Sequence, residues 1–186
     1  MLLAGYKGTQ KGLAGISNRL IRLRLASIYS HTEIVIQAKD NLELHLPDKD
    51  AGDDTKNIHW SISASAFDIM PEYSIYRAGK RGGVRLKKIE FDVNKWDFVE
   101  IHGDPMEIFL RFKKIEGLPY NHLLNYYFLN WKFNYLAFKN KSRNCSQTNA
   151  EMIGLEEAAR FDPANLIMVA RTLHREYEKL HIRFDS

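Results

Sequence analysis

One thiol and seven imidazoles carry most of the nucleophile–base chemistry open to this 186-residue chain. The thiol is Cys145, within "KSRNCSQTNAEMIGL" at 141–155. Ala150, Ile153, Gly154, Ala158 and Phe161 follow it at helical spacing, and Ser142 or Asn144 precedes it as a cap. This pattern predicts Cys145 in the first turn of a helix. There the unpaired backbone N–H groups and the helix dipole favour thiolate over thiol. Inert buried cysteines occupy such places too, so a catalytic thiol needs an imidazole to take its proton and a third group to orient that ring.

Among the histidines, His174 and His181 fall in a charged C-terminal segment where surface roles suffice. His102 ends a strand-like run, and His122 opens an aromatic one. His31 differs, because it begins the strand-like "HTEIVIQ" (His31–Gln37), and Glu33 projects from the same face two residues on. On its own such a pair is equally a surface ion pair. The third group has three candidates. If "AKDN" turns the chain and "LELHLP" (Leu42–Pro47) returns as a paired strand, Ile36 meets Leu42 and His45 comes within one register step of His31. Glu33 lies ~6–7 Å along the backbone from His31. His59 sits on "IHWSISA" (Ile58–Ala64), a strand whose neighbour the sequence does not assign. His45 is therefore placed first, Glu33 second and His59 third.

The elements that must hold these residues are strands first and helices second. After the polar loop Asp48–Asn57, strands are expected over Ile58–Ala64, Gly83–Phe91 and Trp96–Ile101. "GDPMEIFLRFKKIEG" (Gly103–Gly117) opens with Asp104, Pro105 and Glu107, the pattern of a capping box with proline at the first position, and Gly117 stops it. "FDPANLIMVARTLHREYEK" (Phe161–Lys179) is a last helix capped by Asp162. Leu124–Phe138 holds seven aromatics in fifteen residues, read as core or as a greasy groove. Ile16–Ser27 alternates like a strand in its middle but has the length of a helix. The order of elements predicts an α+β fold in a single domain, 1–186.

The composition, 45% hydrophobic and 27% charged, is that of an ordinary globular protein. One cysteine excludes an internal disulfide framework and a cysteine-rich zinc site, and the proposed chemistry needs no cofactor and no metal. "MLLAGYKG" is too short an apolar run for a signal peptide, and no stretch reaches the roughly 20 apolar residues of a membrane span. A product cytoplasmic as synthesised is expected, with delivery to the periplasm or a target cell open. The net charge of +4 is modest, but "RLIRLR", "GKRGGVRLKK", "RFKK" and "KNKSR" are basic runs suited to an anionic surface, either cell wall or membrane headgroups. No specific nucleic-acid motif is present, and the oligomeric state is not legible.

"SHTEIVI", "GGVR" (Gly82–Arg85), "GLPYNHLLNYYF" and "NCSQTNAEMIGL", in that order, resemble the NlpC-type papain-like cysteine hydrolases in their circularly permuted form. In that form the histidine strand precedes the cysteine helix. The relatives include YiiX- and YebB-like proteins, phage proteins and the lecithin:retinol acyltransferase group. The resemblance implies that Cys145 is the nucleophile and His31 the base, and that Tyr120 bonds near the thiolate or the oxyanion. It also implies a third polar residue, with His45 resembling the second histidine of the acyltransferase relatives and Glu33 the acidic residue of the phage type. Gln147 departs from the usual residue two beyond the cysteine, and the Asp48–Asn57 loop looks inserted. The implied activity is a thiol hydrolase acting as an amidase or endopeptidase on cell-wall peptides. A lipid-directed acyltransferase or phospholipase is the alternative, and a non-catalytic module for an anionic partner the third reading.

Overall fold

The computed structural model describes residues 1–48, 52–53, 56–70, 72–73, 78–120 and 143–182. Among them, strands β1 (Leu2–Tyr6), β2 (His31–Val35), β3 (Gly52–Asp53), β4 (Ile58–Ile69), β5 (Arg81–Glu90) and β6 (Trp96–Glu100) form one sheet. Its order is β3-β4-β2-β1-β6, β5 also pairs with β4, and every pairing is antiparallel. The helices are α1 (Gly12–Leu25), α2 (Pro105–Ile115), α3 (Cys145–Met152) and α4 (Pro163–Ile182). The sheet with its segregated helices is an α+β architecture.

Strand alternation divides the sheet into two unlike faces. Leu3, Ile34, Ile62, Val84, Leu86 and Val99 point one way and meet Phe109, Phe112, Leu166 and Ile167 of α2 and α4 in the main core. Each such side chain contributes about 1.5–3 kcal/mol by leaving water. α4 comes so close to β1 that a Cβ on Gly5 would lie 2.9 Å from Ile167 Cδ1, and a larger residue there would push the Ile167 and Tyr29 side chains aside. The other face holds a smaller cluster of Ala4, Tyr6, Val35, Phe91 and Trp96.

The structure departs from the sequence reading in four places and decides a fifth that the sequence left open. β1 is an unexpected strand whose apolar residues run without alternation, because both of its faces are covered. The ambiguous Ile16–Ser27 segment lies mostly in helix α1, which ends where Ala26, left-handed at φ 45, donates its N–H to the carbonyls of Arg22 and Leu23. The return strand at Leu42–Pro47 does not form. Short 3-10 turns at Ala38–Asp40 and Glu43–His45 replace it, fastened by the Gln37 N–H on Asp40 Oδ2 at 2.7 Å. Leu42 and Leu46 are buried while Leu44 is 81% exposed, so these leucines follow a four-residue spacing and not the two-residue one of a strand. Asp104 caps α2 through the Met106 N–H, but Glu107 pairs with Arg111 and leaves the capping box unmade. The cysteine helix is only eight residues long and is followed by Gly154 at φ +80. The aromatic run Leu124–Phe138, with His122, lies outside the described residues.

Candidate active site

Cys145 is the first residue of α3, and Asn144 caps that helix by accepting the Gln147 N–H at 2.8 Å. Four residues on, and therefore on the same helix face, Asn149 Nδ2 donates to Thr32 Oγ1 at 3.0 Å. Both side chains are fully buried, and this bond seats the helix against β2 beside His31. Backbone bonds hold the helix start from the other side. Gly117 N–H donates to the Val84 carbonyl, Val84 N–H to the Leu118 carbonyl and Arg143 N–H to the Pro119 carbonyl, at 2.9, 2.9 and 3.0 Å. Tyr120 forms a parallel bridge with Arg143. The "GLPY" element thus ties β5 to the chain two residues before the thiol.

The His31 imidazole stands close enough to the thiol to act on it through its charge, and Cys145 is 5% exposed. Ser146 Oγ lies 3.7 Å from the sulfur. Backbone pairing of β2 with β4 covers Ile34↔Ile62 and Val35↔Ser61, and beyond it Ser63 Oγ donates to the Thr32 carbonyl at 2.6 Å. On the other side of the ring, His31 Nε2 lies 2.7 Å from Glu33 Oε1, which leaves Nδ1 as the nitrogen for the thiol. Glu33 is 1% exposed and is gripped by both arms of the Arg85 guanidinium, Nη2 to Oε1 at 2.8 Å and Nη1 to Oε2 at 3.0 Å. Arg85 Nε in turn donates to Asp68 Oδ2 at 2.7 Å.

Register explains how Arg85, on β5, reaches Glu33, on β2, across the intervening β4. Ser63 pairs with Arg85, and carrying the β2–β4 register one step on brings Ser63 beside Glu33. Ala4 is the neighbour of Glu33 on β1. The carboxylate therefore sits between two small side chains, with room for the guanidinium to pass over Ser63.

The electrostatics follow from this row. Burial opposes ionisation of His31, but the charges of Cys145 and Glu33 outweigh it and raise the pKa from 6.5 to about 10. Burial likewise opposes the thiolate, and the His31 charge pulls Cys145 below the ordinary thiol value. Against its own burial, Glu33 is held by Arg85 and His31 at about 2, down from 4.5. The favoured state is a thiolate–imidazolium pair backed by a carboxylate and an arginine.

This row opens on a cleft of about 720 Å³ between α1 and the second face of the sheet. His31, Glu33, Arg85, Trp96 and Tyr120 line it, together with Lys11, Lys87, Lys88 and Asp68. The thiol is set behind His31 and is not itself part of that lining.

His45 and His59 lie elsewhere. Without the hairpin, His45 packs its ring against Phe109 of α2 at 5.9 Å. His59 pairs with Gly52 and Ile89 and rests on Phe91 at 6.3 Å, and the β2–β4 register puts it level with Gln37, about 20 Å along the strand from His31. Of the three candidates for the third group, the structure brings only Glu33 to the ring. Sequence reasoning missed Arg85 and Asp68 as partners of the site.

Away from the cleft, His102 and His174 are coplanar and joined Nε2 to Nδ1 at 2.6 Å, and His102 stacks on Tyr177 at 3.6 Å. With Glu100 their donor atoms fall within 4.8 Å of one another, a set able to hold a metal ion. The two rings already bond each other, and Glu100 is paired with Lys39. Comparison with family models, with curated proteins and with solved structures returned no match to the chain.

Proposed function

We propose that the protein is a cysteine hydrolase working through an acyl-enzyme, on a permuted papain-like (NlpC-type) fold. The observation that carries the reading is the connected row Cys145–His31–Glu33–Arg85 at the edge of a cleft. A nucleophile, a base and an orienting carboxylate stand there in contact, with the charge states that nucleophilic attack requires. A non-catalytic module would need none of this alignment.

The thiolate attacks an acyl carbonyl, and the negative charge moves to the carbonyl oxygen. The Cys145 and Ser146 N–H groups, ahead of the Gln147 N–H that Asn144 caps, are the donors for that oxyanion. Imidazolium Nδ1–H then protonates the leaving group as the tetrahedral intermediate collapses to a thioester. His31, now neutral, takes a proton from water, which attacks the thioester and releases the acid. Glu33 holds the ring through Nε2 in both halves of the cycle, and Arg85 holds Glu33. Tyr120, on the cleft wall, is placed as a substrate contact.

The substrate proposed is an amide in a cell-wall peptide. Lys11 at the cleft, with Lys87 beside Asp68, suits a peptide bearing carboxylates. A lipid ester is the second reading, favoured by the aliphatic residues that α1 exposes on its side away from the cleft. Incubation with purified sacculi and, separately, with mixed phospholipids, analysed by mass spectrometry, tests both. Muropeptide products from the wild type that vanish with Cys145→Ala support the amidase, and released fatty acid or lysolipid supports the second reading. No Cys145-dependent product from either would overturn the hydrolase.

A further inference from the structure

Helix α1 has two unlike sides. Ser17, Asn18 and Ile21 face the cleft. On the other side Ile16, Leu20 and Leu23 are 59%, 48% and 70% exposed, and Ile28 just past the helix is 57% exposed. Spacing of four and three residues gathers the first three into one stripe. A groove of about 900 Å³ runs along it, lined by Ile16, Leu23 and Ile28 with Arg19 and Arg22. Folded proteins seldom leave contiguous aliphatic surface of this kind uncovered unless it meets a partner.

Charge identifies the partner. Lys7, Lys11, Arg19, Arg22 and Arg24 all precede Glu33, which is the first carboxylate of the sequence. Lys7 is engaged by Asp97, and Arg22 is turned back onto the carbonyls of Lys7 and Gly8, which fixes the helix to the loop before it. Arg19 borders the groove. A second copy of the chain would set one basic face against another. A nucleic acid is gripped by aromatic stacking as well as by cations, and this stripe is purely aliphatic. Aliphatic side chains flanked by arginine match the boundary between acyl chains and anionic headgroups.

We propose that α1 is an interfacial helix that docks the protein on an anionic phospholipid bilayer. Ile16, Leu20, Leu23 and Ile28 enter the headgroup–acyl boundary, and Arg19 lies at the phosphates. The far side of the same helix is a wall of the cleft, so docking holds the cleft at the membrane surface. The inference rests on the exposure and charge of α1 alone and stands whichever acyl substrate the thiol attacks.

The test is flotation of the full chain with vesicles of phosphatidylcholine alone and of phosphatidylcholine with 30% phosphatidylglycerol. Anionic vesicles should retain the wild type and Cys145→Ala alike, at least tenfold better than neutral ones, and 0.5 M NaCl should weaken that retention. Leu20→Glu/Leu23→Glu should lose at least tenfold on anionic vesicles while its circular dichroism and Cys145 alkylation rate stay as in the wild type. Arg19→Glu should lose severalfold. Failure of the folded wild type to float with anionic vesicles overturns the proposal, as does equal retention of the double variant. A concentration-dependent dimer that the double variant abolishes, without vesicle binding, overturns it in favour of a self-interface.

Discussion

Replacing Glu33 with glutamine keeps shape and volume but removes one buried negative charge, and its consequences can be worked out from the contacts. Oε1 serves both His31 Nε2, at 2.7 Å, and Arg85 Nη2, at 2.8 Å, while Oε2 serves Arg85 Nη1 at 3.0 Å. An amide keeps only one of these acceptors. If its oxygen stays with His31, its NH₂ meets a guanidinium NH₂, donor against donor. If it flips, the NH₂ faces His31 Nε2 and forces the wrong ring tautomer. Breaking a buried pair from one side costs about 3–5 kcal/mol, and Arg85 retains Asp68, so about 3 is expected. That corresponds to roughly 6–12 °C in Tm for a chain of this size. The functional loss is separate. Exchanging a charge-assisted bond for a neutral one forfeits on the order of 1.4 kcal/mol, a factor of ten in the equilibrium constant between the thiolate–imidazolium pair and its neutral form. The acid limb of the iodoacetamide-labelling profile of Cys145 should therefore move by about one pH unit, and turnover should fall on the order of 10²–10⁴-fold. The double variant Glu33→Gln/Arg85→Met separates the two effects. With no buried cation left opposite the amide, it should recover most of the stability and none of the thiol reactivity. A labelling profile for Glu33→Gln that matches the wild type, or a double variant that regains wild-type reactivity, would refute the assignment of Glu33 as the group that orients and charges His31.

Three further outcomes are expected. His31→Ala should shift the pH profile of Cys145 alkylation upward and slow labelling at pH 6.5, because the ring's charge is what lowers the thiol; identical profiles in the two proteins would mean an ordinary structural cysteine. His45→Ala should retain near-wild-type turnover and lose only modest stability through its contact with Phe109, whereas a loss above 10²-fold in kcat would return it to the site. Glu33 is depressed from 4.5 to about 2, so its share of stability is present above pH 4.5 and is lost as pH falls toward 2. Acid titration followed by circular dichroism should show this loss, and it should be blunted in Glu33→Gln; equal acid sensitivity in both proteins would contradict a buried, ion-paired carboxylate.

What could be read from the sequence was set by local forces. Asp104, Asn144 and Asp162 cap the helices they precede, because capping involves only the next three residues. Strand period two puts His31 and Glu33 on one face whatever their neighbours are. The hairpin failed because "LELHLP" fits two periods, and only the core decides that Leu42 and Leu46 go inward while Leu44 does not. β1 was hidden because a strand covered on both faces shows no alternation.

Arg85 was harder still to read. In "GVRLKK" it has Val84 and Leu86 buried on either side and reads as one more cation on a solvated face. Its burial depends on β5 lying against β4, on β4 lying against β2, and on the residue between being serine. Those pairings join Ser63 to Arg85 and Ile34 to Ile62, about 20 and 30 residues apart, and no local pattern contains them. The decisive positions are the small ones. Ala4 and Ser63 leave the space in which a carboxylate, a guanidinium and an imidazole can meet, and burial of the carboxylate and guanidinium strengthens the charges that act on the thiol. Side chains chosen for absent volume carry no chemistry of their own, so a search for catalytic residue types passes over them.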